Sequence, residues 1–154
     1  IMSKQQGFTL IELVMVIVIL GILAATALPK FADLQGDARV ASMEAAVGSV
    51  KSASAIIHAK ALINGNNNDV VAEGITIKVV NGYPKAIASA TETTTASGIF
   101  SAAGLDSAAY VATGTTTLTI ADTSKPACSF TYKEATATEA PVIVTTNLTE
   151  ANCK

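Results

Sequence analysis

The 154-residue sequence contains no tryptophan, 5% aromatic residues, one histidine and two cysteines. So few aromatic rings do not provide a stacking platform for bases or sugars. His58, Cys128 and Cys153 are too few ligands for the usual zinc sites. Lys and Arg total ten against twelve Asp and Glu, a net charge of -2. Because binding to nucleic acid needs an excess of positive charge, no nucleic-acid partner is predicted.

Catalytic patterns are equally scarce. The sequence has no glycine-rich phosphate-binding loop. The base of a nucleophile triad would have to be His58, which falls in a predicted helix without a partner pattern. The scattered acidic residues lack the spacing of a calcium-binding loop. We therefore expect a protein that is not an enzyme and holds neither a metal ion nor a cofactor.

Apolar residues are concentrated near the amino terminus. Residues 8–28 (FTLIELVMVIVILGILAATAL) include 17 apolar residues in 21 positions. As a helix this segment would be about 30 Å long, which matches the hydrocarbon core of a bilayer. Lys4 precedes it, so the amino end is expected in the cytoplasm and the rest of the chain outside. The sequence thus predicts a membrane anchor followed by an exported domain.

A cleavable secretory signal is the alternative interpretation of this segment. Ala24 and Ala25 could imitate its cleavage site. Gly7 directly before the apolar run and Glu12 near its start argue against this, because a charge in lipid costs about 2.5–3.5 kcal/mol. If the chain is cut after Gly7, the new amine of Phe8 lies one helical turn from Glu12 and could offset that cost. The amine of a neighbouring subunit could do the same, or Glu12 could simply lie among the lipid headgroups.

Residues 7–12 (GFTLIE), after a short basic leader and before an aliphatic run, resemble the processing signature of type IV pilins. The resemblance implies that a prepilin peptidase cleaves between Gly7 and Phe8 and methylates the Phe8 amine. It also implies that Glu12 pairs with the terminal amine of another subunit during assembly. Gly21 and Pro29 match family positions that bound a helical stretch which loosens inside filaments.

Residues 24–41 (AATALPKFADLQGDARVA) resemble more narrowly the mannose-sensitive haemagglutinin (MSHA) subgroup of major type IV pilins. The close resemblance covers about residues 4–45. It implies a helical homopolymer built by pilus assembly machinery, used for surface attachment and biofilm formation, with surface glycans as candidate partners. The subunit would lie in the inner membrane of a Gram-negative bacterium with its head in the periplasm, and then in an extracellular pilus.

The predicted fold class is α+β. A long amino-terminal helix ends at Asn64-Gly65, a good C-cap pair. Its second half carries an apolar stripe that should pack against a head. This stripe comprises Val40, Met43, Val47, Val50, Ser54, Ile57 and Ala61. Strands are predicted at 75–80, 115–121, 128–134 and 142–146, as an antiparallel sheet of about four strands laid on the helix. Residues 86–98 are predicted to form a loop and 97–105 one or two helical turns.

The predicted organisation has three parts. Residues 1–7 are a prepilin leader, 8–28 a transmembrane and filament-core helix, and 29–154 a globular pilin head. Within the head, 30–63 is the amphipathic half of the helix, 64–127 contains loops and strands, and 128–153 is a disulfide-bounded carboxy-terminal region. An oxidising compartment makes Cys128 and Cys153 a plausible pair. The resemblance to type IV pilins implies the same bond.

The leading functional hypothesis is a structural major subunit that polymerises into an extracellular type IV pilus. The first alternative is a pseudopilin of a type II secretion system, which resembles pilins at the amino end but commonly has a calcium site in place of a terminal disulfide. A membrane-anchored binding protein for DNA or a sugar is a further alternative, and the acidic charge balance argues against DNA. A hydrolase is the least favoured because a catalytic constellation is lacking.

Overall fold

The computed structural model describes residues 7–88 and 97–154, without the side chains of residues 32 and 33. Lys4, the rest of the predicted leader before Gly7, and most of the predicted loop 86–98 lie outside the described residues. The chain divides into two compact units, Ile1–Gln35 and Gly36–Lys154. Each unit is described by itself.

The longest element is helix α1, Leu10–Asn64, whose 55 residues contribute to both units. It ends where the sequence predicts. Gly65 adopts φ 98°, and the Asn66 amide donates to the carbonyl of Ala61 at 2.6 Å. This is the Schellman arrangement, in which a left-handed glycine just beyond the helix lets the chain return to an otherwise unpaired carbonyl.

The first unit contains the apolar part of α1, whose described large apolar side chains are exposed. Its most apolar 18-residue window has a mean hydropathy of 2.7. By length and composition, α1 is the one helix in the described part of the chain that could cross a membrane. A cleavable signal near an amino terminus would meet the same criterion. The helix is continuous past Gly21 and Pro29.

In the second unit, the remaining part of α1 supplies one wall of the core. The predicted apolar stripe is confirmed, because its members from Met43 to Ala61 are buried and Val40 is partly buried. Two clusters form the core of this unit. The larger one joins α1 to the carboxy-terminal sheet and includes Met43, Val50, Leu118, Phe130 and Tyr132. The smaller one joins α1 to the segment that follows it, through Ile57, Ala61, Val70, Ile77 and Val79.

Two small antiparallel hairpins follow α1. Strands β1 (Val70–Ala72) and β2 (Ile75–Ile77) form the first, and β3 (Val79–Val80) and β4 (Tyr83–Pro84) form the second. Within each hairpin, a two-residue turn with positive φ connects the two strands. The turn is Glu73-Gly74 in the first, with φ of 52° and 79°, and Asn81-Gly82 in the second, with φ of 49° and 81°. Such turns match the natural twist of paired strands.

A four-stranded antiparallel sheet follows the short helix α2 (Ile99–Ala102), which confirms the predicted helical turns. Its strands are β5 (Tyr110–Thr113), β6 (Thr117–Asp122), β7 (Ser129–Lys133) and β8 (Val142–Val144), paired in that order. Helix α3 (Glu150–Cys153) ends the chain. The predicted α+β class with a four-stranded antiparallel sheet is confirmed.

The prediction of which strands form this sheet was wrong at one position. Residues 75–80 alternate as a single strand would, but the structure divides them between two hairpins, because a turn on each side gives each half a local partner. The fourth strand of the sheet is instead β5. Its four residues, YVAT, are too short a run to show a clear alternation.

Candidate functional site

The amino-terminal site is built around the start of α1. The Glu12 carboxylate accepts hydrogen bonds from the Thr9 backbone amide at 2.9 Å and from the Thr9 hydroxyl at 2.7 Å, both on Oε2. In return, the Glu12 amide donates to the Thr9 hydroxyl oxygen at 3.3 Å. This reciprocal pattern is a capping box, with Thr9 as the N-cap and Glu12 three residues into the helix. It satisfies amide groups that a helix start otherwise leaves unpaired.

The capping box assigns Glu12 a role within its own subunit. A carboxylate at the first turn also interacts favourably with the positive end of the helix dipole. Sequence reasoning missed this contact, although the pattern T-x-x-E before an apolar run is readable as a helix start. The salt bridge from Glu12 to a terminal amine remains a prediction about the processed, assembled chain.

The predicted cleavage site lies just before the helix. Gly7 and Phe8 are outside regular structure, and the Phe8 side chain is 88% exposed. A Cβ built at Gly7 would have no heavy atom within 4 Å. The peptide bond between these residues therefore precedes the hydrogen-bonded helix, and no side chain of the described residues packs on Gly7.

Gly21 and Pro29 lie farther along the same unit, within α1. At 1.5 Å per residue they are about 13 and 25 Å along the helix axis from Glu12. The structure therefore does not bring them together with the predicted cleavage site. Pro29 lacks the amide that would bond within the helix, and Gly21 has low helix propensity. Loosening at these positions in a filament stays a prediction.

The predicted disulfide is confirmed, and it closes the carboxy-terminal region of the second unit. Cys128 and Cys153 are bonded, with their Cα atoms 4.7 Å apart and both residues fully buried. The Arg39 guanidinium on α1 donates to the carbonyl of Cys153 at 3.1 Å and lies 3.9 Å from an Asp122 carboxylate oxygen. Arg39 thus ties both the chain end and the end of β6 to α1, a contact that sequence reasoning missed.

His58 and Tyr83 form a second side-chain arrangement in this unit. Their rings are parallel, with centroids 3.9 Å apart, and His58 Nδ1 is 2.8 Å from the carbonyl oxygen of Gly82. Because a carbonyl only accepts, Nδ1 carries the proton in this contact. His58 therefore holds the Asn81-Gly82 turn against α1. Sequence reasoning placed His58 in a helix without a partner pattern and did not anticipate its contact with Tyr83.

One buried polar residue stands out in the core. The Tyr132 hydroxyl, fully buried, donates to the Pro84 carbonyl at 2.8 Å. Burial disfavours the phenolate and raises the pKa of Tyr132 well above its usual value. Across residues 7–88 and 97–154, no group of three or more His, Cys, Asp or Glu side chains could hold a metal ion.

The described residues thus include a Gly7-Phe8 pair ahead of a capped and exposed apolar helix. They also include an α+β unit that is closed by a disulfide. Over residues 2–28 the chain matches the family described as the prokaryotic N-terminal methylation motif. The chain is also similar to curated proteins of type IV pili. It is 53% identical over 53 residues to the type IV narrow pilus major component of Thermus thermophilus, a match covering 34% of this chain and 46% of the relative.

Two fimbrial proteins show similar partial matches. The Pseudomonas aeruginosa fimbrial protein is 42% identical over 65 residues, 41% of this chain and 42% of the relative. The Moraxella nonliquefaciens fimbrial protein is 36% identical over 85 residues, 55% and 54% of the two chains. The chain thus spans about half the length of the curated relatives it matches. No solved structure matches it significantly.

Proposed function

We propose that this chain is the structural major subunit of a type IV pilus. Cleavage by a prepilin peptidase after Gly7 and methylation of Phe8 would release it for polymerisation by the pilus assembly machinery. The matched methylation motif and the partial similarity to pilus and fimbrial proteins support this proposal. The single observation that carries it is an accessible Gly7-Phe8 bond directly before an apolar helix that the described chain leaves uncovered.

The exposed apolar helix explains why such a subunit would lie first in a membrane and then in a filament. Side chains from Leu10 to Leu23 are apolar, apart from Glu12 and Gly21, and each of these apolar residues is between 42% and 79% exposed. In water this surface would be costly, at roughly 25 cal/mol per Å² of apolar area. Before assembly the helix would lie in the inner membrane with the head in the periplasm. In the extracellular filament, identical helices of other subunits would cover it.

Glu12 would set the register of that packing. A carboxylate surrounded by apolar helices is tolerated where a cation or hydrogen-bond donors meet it. Thr9 supplies two donors in the subunit. In the polymer, the methylated amine of Phe8 from another subunit would supply the charge. Loosening between Gly21 and Pro29 would let the helices adjust to one another.

The finer functional proposal is membership of the MSHA subgroup, with surface attachment and biofilm formation by a Gram-negative bacterium and surface glycans as candidate partners. It rests on the resemblance over residues 24–41. The alternative function is a pseudopilin of a type II secretion system. The Cys128–Cys153 bond favours the pilin, because pseudopilins commonly carry a calcium site in place of that bridge.

Mass spectrometry of the intact subunit, on material sheared from the cell surface, tests the proposal. We expect a chain beginning at methylated Phe8, with Cys128 and Cys153 oxidised. The same processed chain confined to the membrane fraction would indicate the pseudopilin. A chain beginning after about Ala25 would mean that the apolar segment is a cleavable signal, and the filament proposal would be wrong.

A further inference from the structure

A groove runs along one flank of α1 in the second unit. One wall is α1 itself and the other is the edge strand β8 with the residues around it. The groove contains a cavity of about 460 Å³ lined by Lys51, His58 and Leu62 from α1, by Tyr83, and by Pro141 and Ile143 at the edge of the sheet. Lys51 also lines a neighbouring cavity of about 340 Å³. The walls are mostly apolar, and Leu62 is 58% exposed.

The larger cavity of the groove has charge of one sign. Lys51 is the residue with a full charge in the lining of the larger cavity. Among the described residues it forms no ion pair, and its side chain is exposed. Glu44 lies in the smaller cavity, two turns away along α1. The larger cavity therefore suits an apolar group that carries a carboxylate.

The opposite flank of α1 presents apolar side chains together with a carboxylate. The β1–β2 hairpin packs there, beside the α1 residues Ile56 and Lys60. These residues are about half a turn around the helix from Lys51 and His58. The hairpin exposes Val71 at 64% and Ile75 at 39%, with the exposed Glu73 at its tip. Glu73 forms no ion pair with any residue that the structure describes.

We propose that the β1–β2 hairpin of one subunit docks into the groove between α1 and β8 of a second copy of this chain. Glu73 would face Lys51, and Val71 or Ile75 would cover Leu62 and Ile143. This inference rests on the proposed polymeric function and specifies which surfaces of the second unit meet. Glu73 and Lys51 have opposite charges, and the hairpin and the groove each leave apolar side chains uncovered in the subunit, Val71 and Ile75 on one and Leu62 on the other.

The placement of the two surfaces explains the form of the assembly. They are different surfaces on opposite flanks of one unit, so each copy can offer a hairpin to one neighbour and a groove to another. Such a heterologous contact does not close on itself in a pair, and it generates rings or open helical polymers. The hairpin suits this role because its turn, Glu73-Gly74, places Glu73 at the tip.

Charge reversal in the full-length chain tests the contact. The yield of subunits in sheared filaments is measured for Glu73→Lys, Lys51→Glu and the double variant. Each single reversal should lower the yield about tenfold, because like charges then meet at a complementary interface. The double variant should recover to within about threefold of wild type. Lys133→Glu, a reversal at an exposed position of β7 that lines neither the groove cavities nor the cavity beside the hairpin, is the matched control and should assemble normally.

The outcomes separate this inference from the proposed function. If wild type forms filaments and both single-reversal variants assemble with the same yield, the docking contact is wrong and the proposed pilus function stands. The docking contact would also be wrong if the filament yield of the double variant does not recover although all three variants have the melting temperature of wild type. If the wild type forms no filaments, the proposed function and the contact both fail.

Cysteine trapping gives a second, independent readout. With Glu73→Cys and Lys51→Cys in one chain, oxidised filaments should yield a ladder of disulfide-linked subunits. Because the two positions lie on opposite flanks, that bond can form only between copies. Glu73→Cys combined with Lys133→Cys is the control. A ladder no stronger than in this control would contradict the contact.

Discussion

The two units use the same long helix in opposite ways. In the first unit, α1 is apolar on every side from Leu13 to Leu20 and exposes its large side chains. In the second, α1 carries a stripe that is buried beneath two hairpins and a sheet, with polar residues away from it. Both parts of α1 are α-helical, so the difference between them lies in the distribution of their apolar side chains. A uniformly apolar helix needs cover from outside its own chain, whereas a striped helix finds cover within it.

Glu12→Ala should produce the largest effect, because it removes the only full charge of the apolar helix between Phe8 and Leu28. Processing at Gly7 should continue, since the proposed cleavage site lies before the helix. Filament yield should fall by about tenfold or more, since helices without a charged register position can pack in several alignments. Mass spectrometry and the recovery of sheared filaments measure the two effects separately. Abundant normal filaments from this variant would contradict the register role.

Two methionines on α1 give a matched comparison of the units. Met43 is fully buried, whereas Met15 is 58% exposed. Met43→Ala should lower the free energy of unfolding of the detergent-solubilised subunit by about 2–5 kcal/mol, because it leaves a cavity in the core. Met15→Ala should change that free energy by less than about 0.5 kcal/mol. Equal effects of the two substitutions would mean that the helix is covered similarly in both units.

Removing the disulfide should destabilise the second unit and leave the first unchanged. The bond spans 25 residues, and its loss should cost about 3 kcal/mol through the greater freedom of the unfolded chain. Denaturant unfolding of the Cys128→Ser, Cys153→Ser double variant measures this cost. The helicity of residues 10–30, measured by amide hydrogen exchange, serves as the internal control. Faster exchange there would show that the bridge also supports the first unit.

Strongly periodic features of this fold were predictable from the sequence, and features that depend on pairing were not. The stripe from Met43 to Ala61 and the stop at Asn64-Gly65 are local patterns that act through helix geometry. The strand β5 has four residues and depends on β6 for its existence. Residues 75–80 alternate well, but the turns at Gly74 and Gly82 decide their partners.

The residues of the candidate site were predictable from the sequence, but only some of the contacts between them were. The motif from Gly7 to Glu12 and the two cysteines stand out in the sequence. The Thr9–Glu12 capping box was readable in principle, since it is local. The contact of Arg39 with Cys153 joins residues 114 positions apart, and spacing along the chain contains no signal for it.

Alkaline pH should distinguish the buried core of the second unit from its surface. Tyr132 has a raised pKa in the folded chain, so it keeps its proton at pH values where the unfolded chain loses it. The free energy of unfolding should therefore be unaffected below about pH 10 and fall above it, by up to about 1.4 kcal/mol per pH unit for this group. Comparing wild type with Tyr132→Phe between pH 9 and about 11.5 isolates it, because the two proteins differ only in this hydroxyl group. Parallel curves would show that Tyr132 ionises freely when folded.

The smallest expected effect concerns the start of α1 and tests whether Thr9 holds Glu12 in the subunit. Thr9→Ala removes the hydroxyl that donates to the Glu12 carboxylate and accepts from the Glu12 amide. Loss of an N-cap costs about 1 kcal/mol, so amides in the first turn of α1 should exchange about fivefold faster in detergent micelles. Thr9→Ser keeps the hydroxyl and should exchange like wild type. If alanine and serine variants exchange equally slowly, lipid-like surroundings alone hold the first turn, and Glu12 is free to turn toward a neighbouring amine without breaking a cap.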